Sequence, residues 1–203
     1  SLEIEGNTLT EEQITALLND ERVIAPQKDI LEVQNAVKVY EKLKEFNPNS
    51  LKDLQVAQSI LMHGLIEGSG KFRTKNVGIV KGSKVEHLAP SGSMVNGLMK
   101  DLFTYLKSDN EVLLIKSCVF HYEFEFIHPF LDGNGRLGRL LIILLLCEHG
   151  LLQAPILYLS LYLKENRRLY YELLQQVREY GNWEAWLEFF LTGIEYSAKQ
   201  ALS

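Results

Sequence analysis

Basic residues are in short supply. Lys and Arg number 21 against 26 Asp and Glu, a formal net charge of −5, and no basic stripe runs along the chain. The electrostatic footprint of a duplex-binding protein is missing, so nucleic acid is not an expected partner. Cysteine is scarcer still. Cys118 and Cys147 both lie inside apolar runs, and neither has a CxxC partner. Two thiols make no disulfide framework, which points to reduced core cysteines in a cytoplasmic protein. Long apolar runs are lacking as well. The longest, Leu140 to Cys147, falls far short of the ~18 residues that a spanning helix needs, so no membrane partner is expected. The opening residues Ser1 to Gly6 carry two glutamates and no basic residue, unlike a secretory leader. Proline occurs only five times, and little therefore interrupts helix.

What is present reads as helix. With 46% hydrophobic and 23% charged residues, the composition is that of an ordinary globular chain, and the 3.6-residue apolar period recurs. Thr10 is suited to cap a helix running through Glu11 and Glu12 to Leu18, the early acids facing the positive end of its dipole. Asp29 is expected to cap the next, with Ile30, Val33, Val37 and Tyr40 on one face. A third covers roughly Leu51 to Leu65. Between Gly68 and Pro90 the stripe disappears among glycines, and Val77, Ile79 and Val80 indicate a short β-hairpin, or flap. Helical periodicity returns over Met94–Leu106 and Glu111–Ile127, the latter apolar on most faces and hence central and buried. It ends at His128-Pro129, because proline disfavours helix in the preceding residue. Another strongly apolar helix runs to about His149, and two more span roughly Lys164–Tyr180 and Trp183–Leu202. The expected class is all-α: one helical domain with a small hairpin flap.

The informative segment is His128-Pro-Phe-Leu-Asp-Gly-Asn-Gly-Arg-Leu-Gly-Arg139. Gly133 and Gly135 let backbone N–H groups approach a ligand closely. The helix that begins there offers unpaired N–H groups and a positive dipole end to a phosphate. Arg136 and Arg139, three residues apart, project from the first turn towards one anion. Cations are electrostatically misplaced at that end unless an anion joins them. Asp132 is a hard oxygen ligand suited to a Mg²⁺ that keeps several waters and bridges phosphates. His128 titrates near neutral pH and is suited to take a proton from an attacking hydroxyl. Singly, each feature has a plain structural explanation: a capping histidine, a Gly turn, a solvated face. Together they place an anion site, a metal ligand and a base within twelve residues.

This segment resembles the Fic motif, His-x-Phe-x-Asp/Glu-Gly-Asn-Gly-Arg-x-x-Arg, at every defined position. The run His121 to Phe126 before it and Asn166-Arg-Arg-Leu-Tyr-Tyr171 after it also look like the family, so the resemblance covers nearly the whole chain. It implies the all-helical Fic fold and an enzyme that moves AMP from ATP onto a Ser, Thr or Tyr hydroxyl of a target protein. His128 would deprotonate that hydroxyl, Phe130 would anchor the loop in the core, and Asp132 would hold Mg²⁺. Gly133, Asn134, Gly135 and Arg136 would form the anion hole, and Arg139 would meet the γ-phosphate. Tyr171 either helps to wall the adenine pocket or is a packed aromatic. The stretch Arg73, Thr74, Lys75, Asn76, Val77, Gly78, Ile79, Val80 and Lys81 resembles the family's target-docking flap, whose edge can lend main-chain bonds to an extended substrate segment.

Ser1-Leu-Glu-Ile-Glu5-Gly6 resembles the family's inhibitory motif, Ser/Thr-x-x-x-Glu-Gly/Asn. The resemblance implies an inhibitory segment over residues 1–8 ahead of a core over 9–203, with its flap at about 68–90. The chain opens within this motif, which suggests a core excised from a longer protein. Glu5 would pair with Arg139 and compete with the γ-phosphate for one guanidinium. Several rival readings share these residues. One is removal of AMP from a modified target at the same site, and another is a nucleotide-binding regulatory module without catalysis, which the intact His128 and Asp132 oppose. Phosphoryl transfer as in Doc-type relatives is disfavoured, because those carry Lys where this chain has Gly135. A toxin with a separate antitoxin fits poorly with the built-in Glu5.

Overall fold

The computed structural model describes residues 1–81, 84–108, 111–152 and 159–202. A 3-10 turn, Glu3–Glu5, opens the chain, followed by helices α1 (Glu11–Leu18), α2 (Gln27–Glu41) and α3 (Leu51–Leu61). Strands β1 (Gly78–Lys81) and β2 (Lys84–Leu88) come next, then α4 (Val95–Lys107), α5 (Leu113–Ile127), α6 (Asn134–Glu148), α7 (Leu159–Glu165), α8 (Arg167–Tyr180) and α9 (Trp183–Leu202). The all-α class expected from periodicity holds. No helix among the described residues is long and apolar enough to cross a membrane.

Thr10 caps α1 in a full capping box: its side chain accepts from the N–H of Gln13, whose own side chain reaches back to Thr10. The expected cap of α2 is corrected. The helix starts two residues before Asp29, with Pro26 at its N-cap. Asp29, buried in its first turn, instead accepts from the Thr8 backbone N–H and hydroxyl. The expected apolar face of α2 is corrected too, since Tyr40 is 46% exposed, whereas Asp29, Glu32 and Asn35 are buried with Val33 and Val39. Helix α3 ends near Leu61, short of Leu65, because the Asn35 amide donates to the carbonyls of Leu61 (3.2 Å) and His63 (2.8 Å) and so satisfies the helix end.

Helices α5 and α6 form the central wall, which explains why neither has a polar face. One core lies on the α2–α4 side, where Phe120, Phe124 and Ile127 of α5 meet Leu137, Leu141 and Leu145 of α6. A second lies on the α7–α9 side, with Cys118 and Tyr122 of α5, Ile142 and Leu146 of α6, and Trp186 and Phe190 of α9. Trp186 is fully buried and donates its indole N–H to the Cys118 carbonyl at 3.1 Å. Both cysteines are free thiols. The single helix expected over Lys164–Tyr180 is two. Asn166 breaks it by donating its amide to the Tyr162 carbonyl at 2.9 Å, the local competition that makes Asn a poor helix-interior residue.

Strands β1 and β2 pair antiparallel, Gly78 opposite Leu88 and Lys81 opposite Lys84, with the register shifting between Ile79 and Val80. Residues 82 and 83, within the expected flap, lie outside the described residues. The five residues Arg73 to Val77 precede the strand rather than belong to it.

Candidate functional site

The loop 128–133 joins the end of α5 to the start of α6. His128 closes α5 in a left-handed conformation (φ 49°) that only a small share of non-glycine residues adopt. The strain is held by Arg73, which is buried and spreads its guanidinium over the end of the helix. Its Nε donates to the His128 carbonyl (2.7 Å), and its Nη2 donates to the carbonyls of Ile127 (2.9 Å) and Pro90 (2.7 Å). Its backbone N–H donates to the Pro129 carbonyl at 2.9 Å. Sequence reasoning put Arg73 in an exposed docking edge; at 3% exposure it is a clamp on the His128 turn, whereas Thr74, Lys75 and Asn76 beside it are exposed.

Phe130 is fully buried, with its ring 5.2 Å from that of Phe72. Asn134 exchanges two hydrogen bonds with the Phe130 backbone, 2.9 Å each. The Asn134 side chain is thereby spent on shaping the loop, and only its backbone N–H remains for an anion. Gly133 sits at φ 84°, and a Cβ there would lie 2.7 Å from the Met62 sulfur, so the turn requires glycine twice over. Gln58 supports the same turn from α3, donating to the Asp132 carbonyl at 3.0 Å and accepting from the Gly70 N–H.

Asp132 is half-exposed (53%), and one of its carboxylate oxygens accepts from the Gly133 N–H at 2.6 Å. No group of three or more His, Cys, Asp or Glu gathers to hold a metal among the described residues. A single accessible carboxylate does suit an ion that takes its remaining ligands from water and phosphate.

The two arginines diverge. Arg136 lies between α2 and its own loop: Nη1 is 3.2 Å from Glu32 Oε1, and Nη2 is 3.7 Å from Asp132 Oδ1. Nη2 also donates to the Met62 sulfur at 3.3 Å. Among the described residues, Nε and Nη1 find no hydrogen-bond acceptor, so charge, burial and this one weak bond hold the guanidinium. Arg139, 2% exposed, meets the 3-10 turn. Its Nη2 donates to Glu5 Oε1 at 2.5 Å and to the Ser1 carbonyl at 3.4 Å, while Nε donates to the Ser1 hydroxyl at 3.1 Å. The Glu5 carboxylate lies over Gly135, where any Cβ would collide with it. Gly6, left-handed at φ 93°, closes the turn behind Glu5. Ser1, Glu5, Gly6, Gly135 and Arg139 are thus assembled in one place.

Behind Arg139 lies a buried polar set absent from the sequence reading. The Glu125 carboxyl, pushed up to about 7 by burial against the opposing pull of Arg139, faces Gly138. His121, lowered to about 3 by burial and Arg139, is neutral and shares a 3.0 Å hydrogen bond with the Tyr170 hydroxyl. Tyr171 on α8 packs its ring 5.0 Å from that of Tyr170, with the Arg167 guanidinium 5.8 Å above it. Burial and then the Glu5 charge raise its hydroxyl pKa. Glu32 was also missed. The available signal was Asp29, Glu32 and Asn35, a polar stripe at three-residue spacing on an otherwise apolar helix.

The start of a helix, two buried arginines, one accessible carboxylate and a histidine in a left-handed turn thus meet at one loop. Residues 48–146 match the model of the Fic/DOC family, and the chain belongs to that family. A Fic family protein of Desulfovibrio desulfuricans G20 superposes with a TM-score of 0.93 at 38% identity, over 99% of this chain and 62% of that one. The protein adenylyltransferase Fic of Aedes aegypti is 34% identical over 192 residues, 88% of this chain and 36% of its own. A probable protein adenylyltransferase of Aquifex aeolicus is 26% identical over 186 residues, 84% of this chain and 56% of its own. The chain therefore spans little more than half, or less, of these curated relatives.

Proposed function

We propose that this chain is the core of an autoinhibited protein adenylyltransferase, which moves AMP from ATP to a Ser, Thr or Tyr hydroxyl of a target protein. The observation that carries the reading is Arg139. A buried guanidinium in the second turn of the loop's helix is engaged by a carboxylate, Glu5, that lies over Gly135, where a phosphate chain would run. With Glu5 withdrawn, the first N–H groups of α6, Arg136 and Arg139 would hold the triphosphate. His128 would take the proton of the incoming hydroxyl. That oxygen then bonds to the α-phosphorus, the bond from the α-phosphorus to the β-bridging oxygen breaks, and pyrophosphate leaves with the electron pair. Mg²⁺, held by Asp132, would neutralise charge on the phosphates. We assign the adenine wall to Tyr171 and target docking to the β1 edge, with the exposed Thr74, Lys75 and Asn76 before it. The two free cysteines support a reducing, cytoplasmic setting.

A second reading is hydrolysis of an AMP–protein ester at the same site. It is favoured by the Glu5 side chain, which at 31% exposure is open enough to hold a water above the loop. One mass measurement decides between these chemistries. After incubation with Mg²⁺ and ATP, protein or target should gain one AMP; a gain of one phosphate, or loss of AMP from a pre-modified target, rejects the transfer reading. Asp132→Ala is expected to abolish the Mg²⁺ dependence together with the activity. Residual activity that still responds to Mg²⁺ would place the ion elsewhere.

A further inference from the structure

Glu32 is a carboxylate that none of the roles above uses, and both of its oxygens are engaged. It is 5% exposed. Oε1 lies 3.2 Å from Arg136 Nη1, and Oε2 accepts from the Asn7 amide at 2.8 Å. Asn7, 6% exposed, also donates to the Asp29 carbonyl at 3.1 Å and accepts from the Leu9 N–H at 3.2 Å. The Thr8 N–H donates to the Asp29 carboxylate at 3.0 Å, and its hydroxyl does so at 2.5 Å. Asn7 and Thr8 are therefore fastened to the first turns of α2, and Asn7 stands only two residues after Glu5. One carboxylate touches a phosphate-loop arginine with one oxygen and the segment that carries Glu5 with the other.

Two physical consequences follow. Arg136 is buried and lacks hydrogen-bond acceptors for Nε and Nη1 among the described residues, and Nη2 has only the weak Met62 sulfur acceptor at 3.3 Å, so its position depends largely on the opposing charge. Its other carboxylate is Asp132 at 3.7 Å, on its own loop. Without the Glu32 charge, the guanidinium would keep only Asp132 and the Met62 sulfur, 3.3 Å from Nη2, and would lose its fixed place beside the anion site. The second consequence concerns reach. Glu5 meets Arg139 only if the 3-10 turn sits at the right height. Ile4 in the second core and Glu3, 2.6 Å from Lys164, hold the turn from one side. The first side-chain fastening after Gly6, on the α2 side, is the Asn7 amide.

We propose that Glu32 is a positioning residue: its charge sets Arg136 for the phosphates of ATP, and its bond to Asn7 sets the height at which Glu5 meets Arg139. This inference rests on the proposed function. Its two limbs separate by mutation, because Glu32→Gln removes the charge but keeps shape and an acceptor for Asn7, whereas Asn7→Ala leaves the Glu32–Arg136 pair whole.

The experiment uses calorimetric ATP titration and AMP incorporation, with thermal melts to establish folding. In a Glu5→Gly background, Glu32→Gln is expected to raise the Kd and KM for ATP about tenfold with little change in kcat, as for loss of one charge-assisted alignment. Glu32→Asp, which keeps the charge one bond further back, should lose less than Glu32→Gln. Asn7→Ala in that background should leave ATP Kd within about twofold, but with Glu5 present it should raise basal AMP incorporation about fivefold or more. An unchanged Kd in a folded Glu32→Gln protein, or equal losses for Gln and Asp, overturns the first limb. Unchanged basal activity in Asn7→Ala overturns the second. A Glu5→Gly parent that binds no ATP rejects the proposed function instead. The Glu32 limb is then read with pyrophosphate as the ligand, where the Gln variant should still bind about tenfold more weakly.

Discussion

Arg136 and Arg139 start from the same position in chemistry and end in different mechanical situations. Each is a buried guanidinium near the start of α6, and each has a near carboxylate and a farther one. For Arg136 the near partner is Glu32, inside a fifteen-residue helix and with a 6% exposed side chain. For Arg139 it is Glu5, in a three-residue 3-10 turn and with a 31% exposed side chain. The Arg139 contact is the shorter, 2.5 Å against 3.2 Å. Contact length is not what distinguishes a permanent pair from an exchangeable one. What matters is how much structure must move to separate the partners. Freeing Arg136 means disturbing a fifteen-residue helix, whereas freeing Arg139 means moving one three-residue turn with a single core side chain, Ile4. On the proposed function, a phosphate would displace the second carboxylate and leave the first in place.

The largest expected effect tests whether both arginines serve phosphate alone. His128→Ala should lower AMP transfer by ~10²–10⁴, the usual cost of losing a general base, while leaving ATP affinity within a fewfold. In the proposed function the histidine acts on the incoming hydroxyl, and the phosphate contacts belong to residues 133–139. Calorimetric titration of the folded variant is the check. Lost ATP binding would mean that His128 shapes the pocket, and the division of labour drawn above would fail.

Next comes the exchangeable pair itself. Glu5→Gly removes the carboxylate from Arg139 and should raise AMP incorporation from α-labelled ATP by roughly 10². That matches a blocked state favoured by ~3 kcal/mol, the range expected for one well-formed, largely buried pair. Equal rates for parent and variant, with His128→Ala inactive, would remove Glu5 from the regulatory role and make the two arginines alike.

The sequence made the loop legible because its chemistry is contiguous: base, carboxylate, glycines and arginines fall within twelve residues, and their spacing alone implies a phosphate. The opening motif was legible only beside that loop. What could not be read was support from a distance. Gln58 reaches Asp132 across 74 residues, and Arg73 reaches the His128 carbonyl across 55. Nothing in local periodicity announces such pairs. The resemblance to a docking flap takes in Arg73 as part of one continuous stretch, yet an arginine's length lets it serve a helix end far along the chain. The apolar face drawn for α2 failed for the opposite reason, since three polar residues occupy its buried side and satisfy one another or the neighbouring chain.

The smallest effect concerns the farther carboxylate behind Arg139. Glu125 sits in the central wall with its carboxyl pushed from an ordinary 4.5 up to about 7, by burial first and against the attraction of Arg139. Below pH 4.5 the group is protonated whether the chain is folded or not, so it adds nothing to the pH dependence. Between 4.5 and 7 the unfolded chain ionises it while the folded protein keeps the proton. The folded state then binds more protons, and stability falls as pH rises through that window. Above about 7 both states are ionised and the penalty is constant, of order 1–3 kcal/mol. Glu125→Gln carries no ionisation, so it should flatten this part of the curve. From pH 5 to 7.5 the parent should lose a few degrees of Tm relative to the variant, with parallel curves above pH 8. Parallel curves throughout would mean that water or Arg139 already compensates the ionised group. Arg139 would then hold Glu125 as firmly as Arg136 holds Glu32, and the contrast between the two arginines would narrow to Glu5 alone.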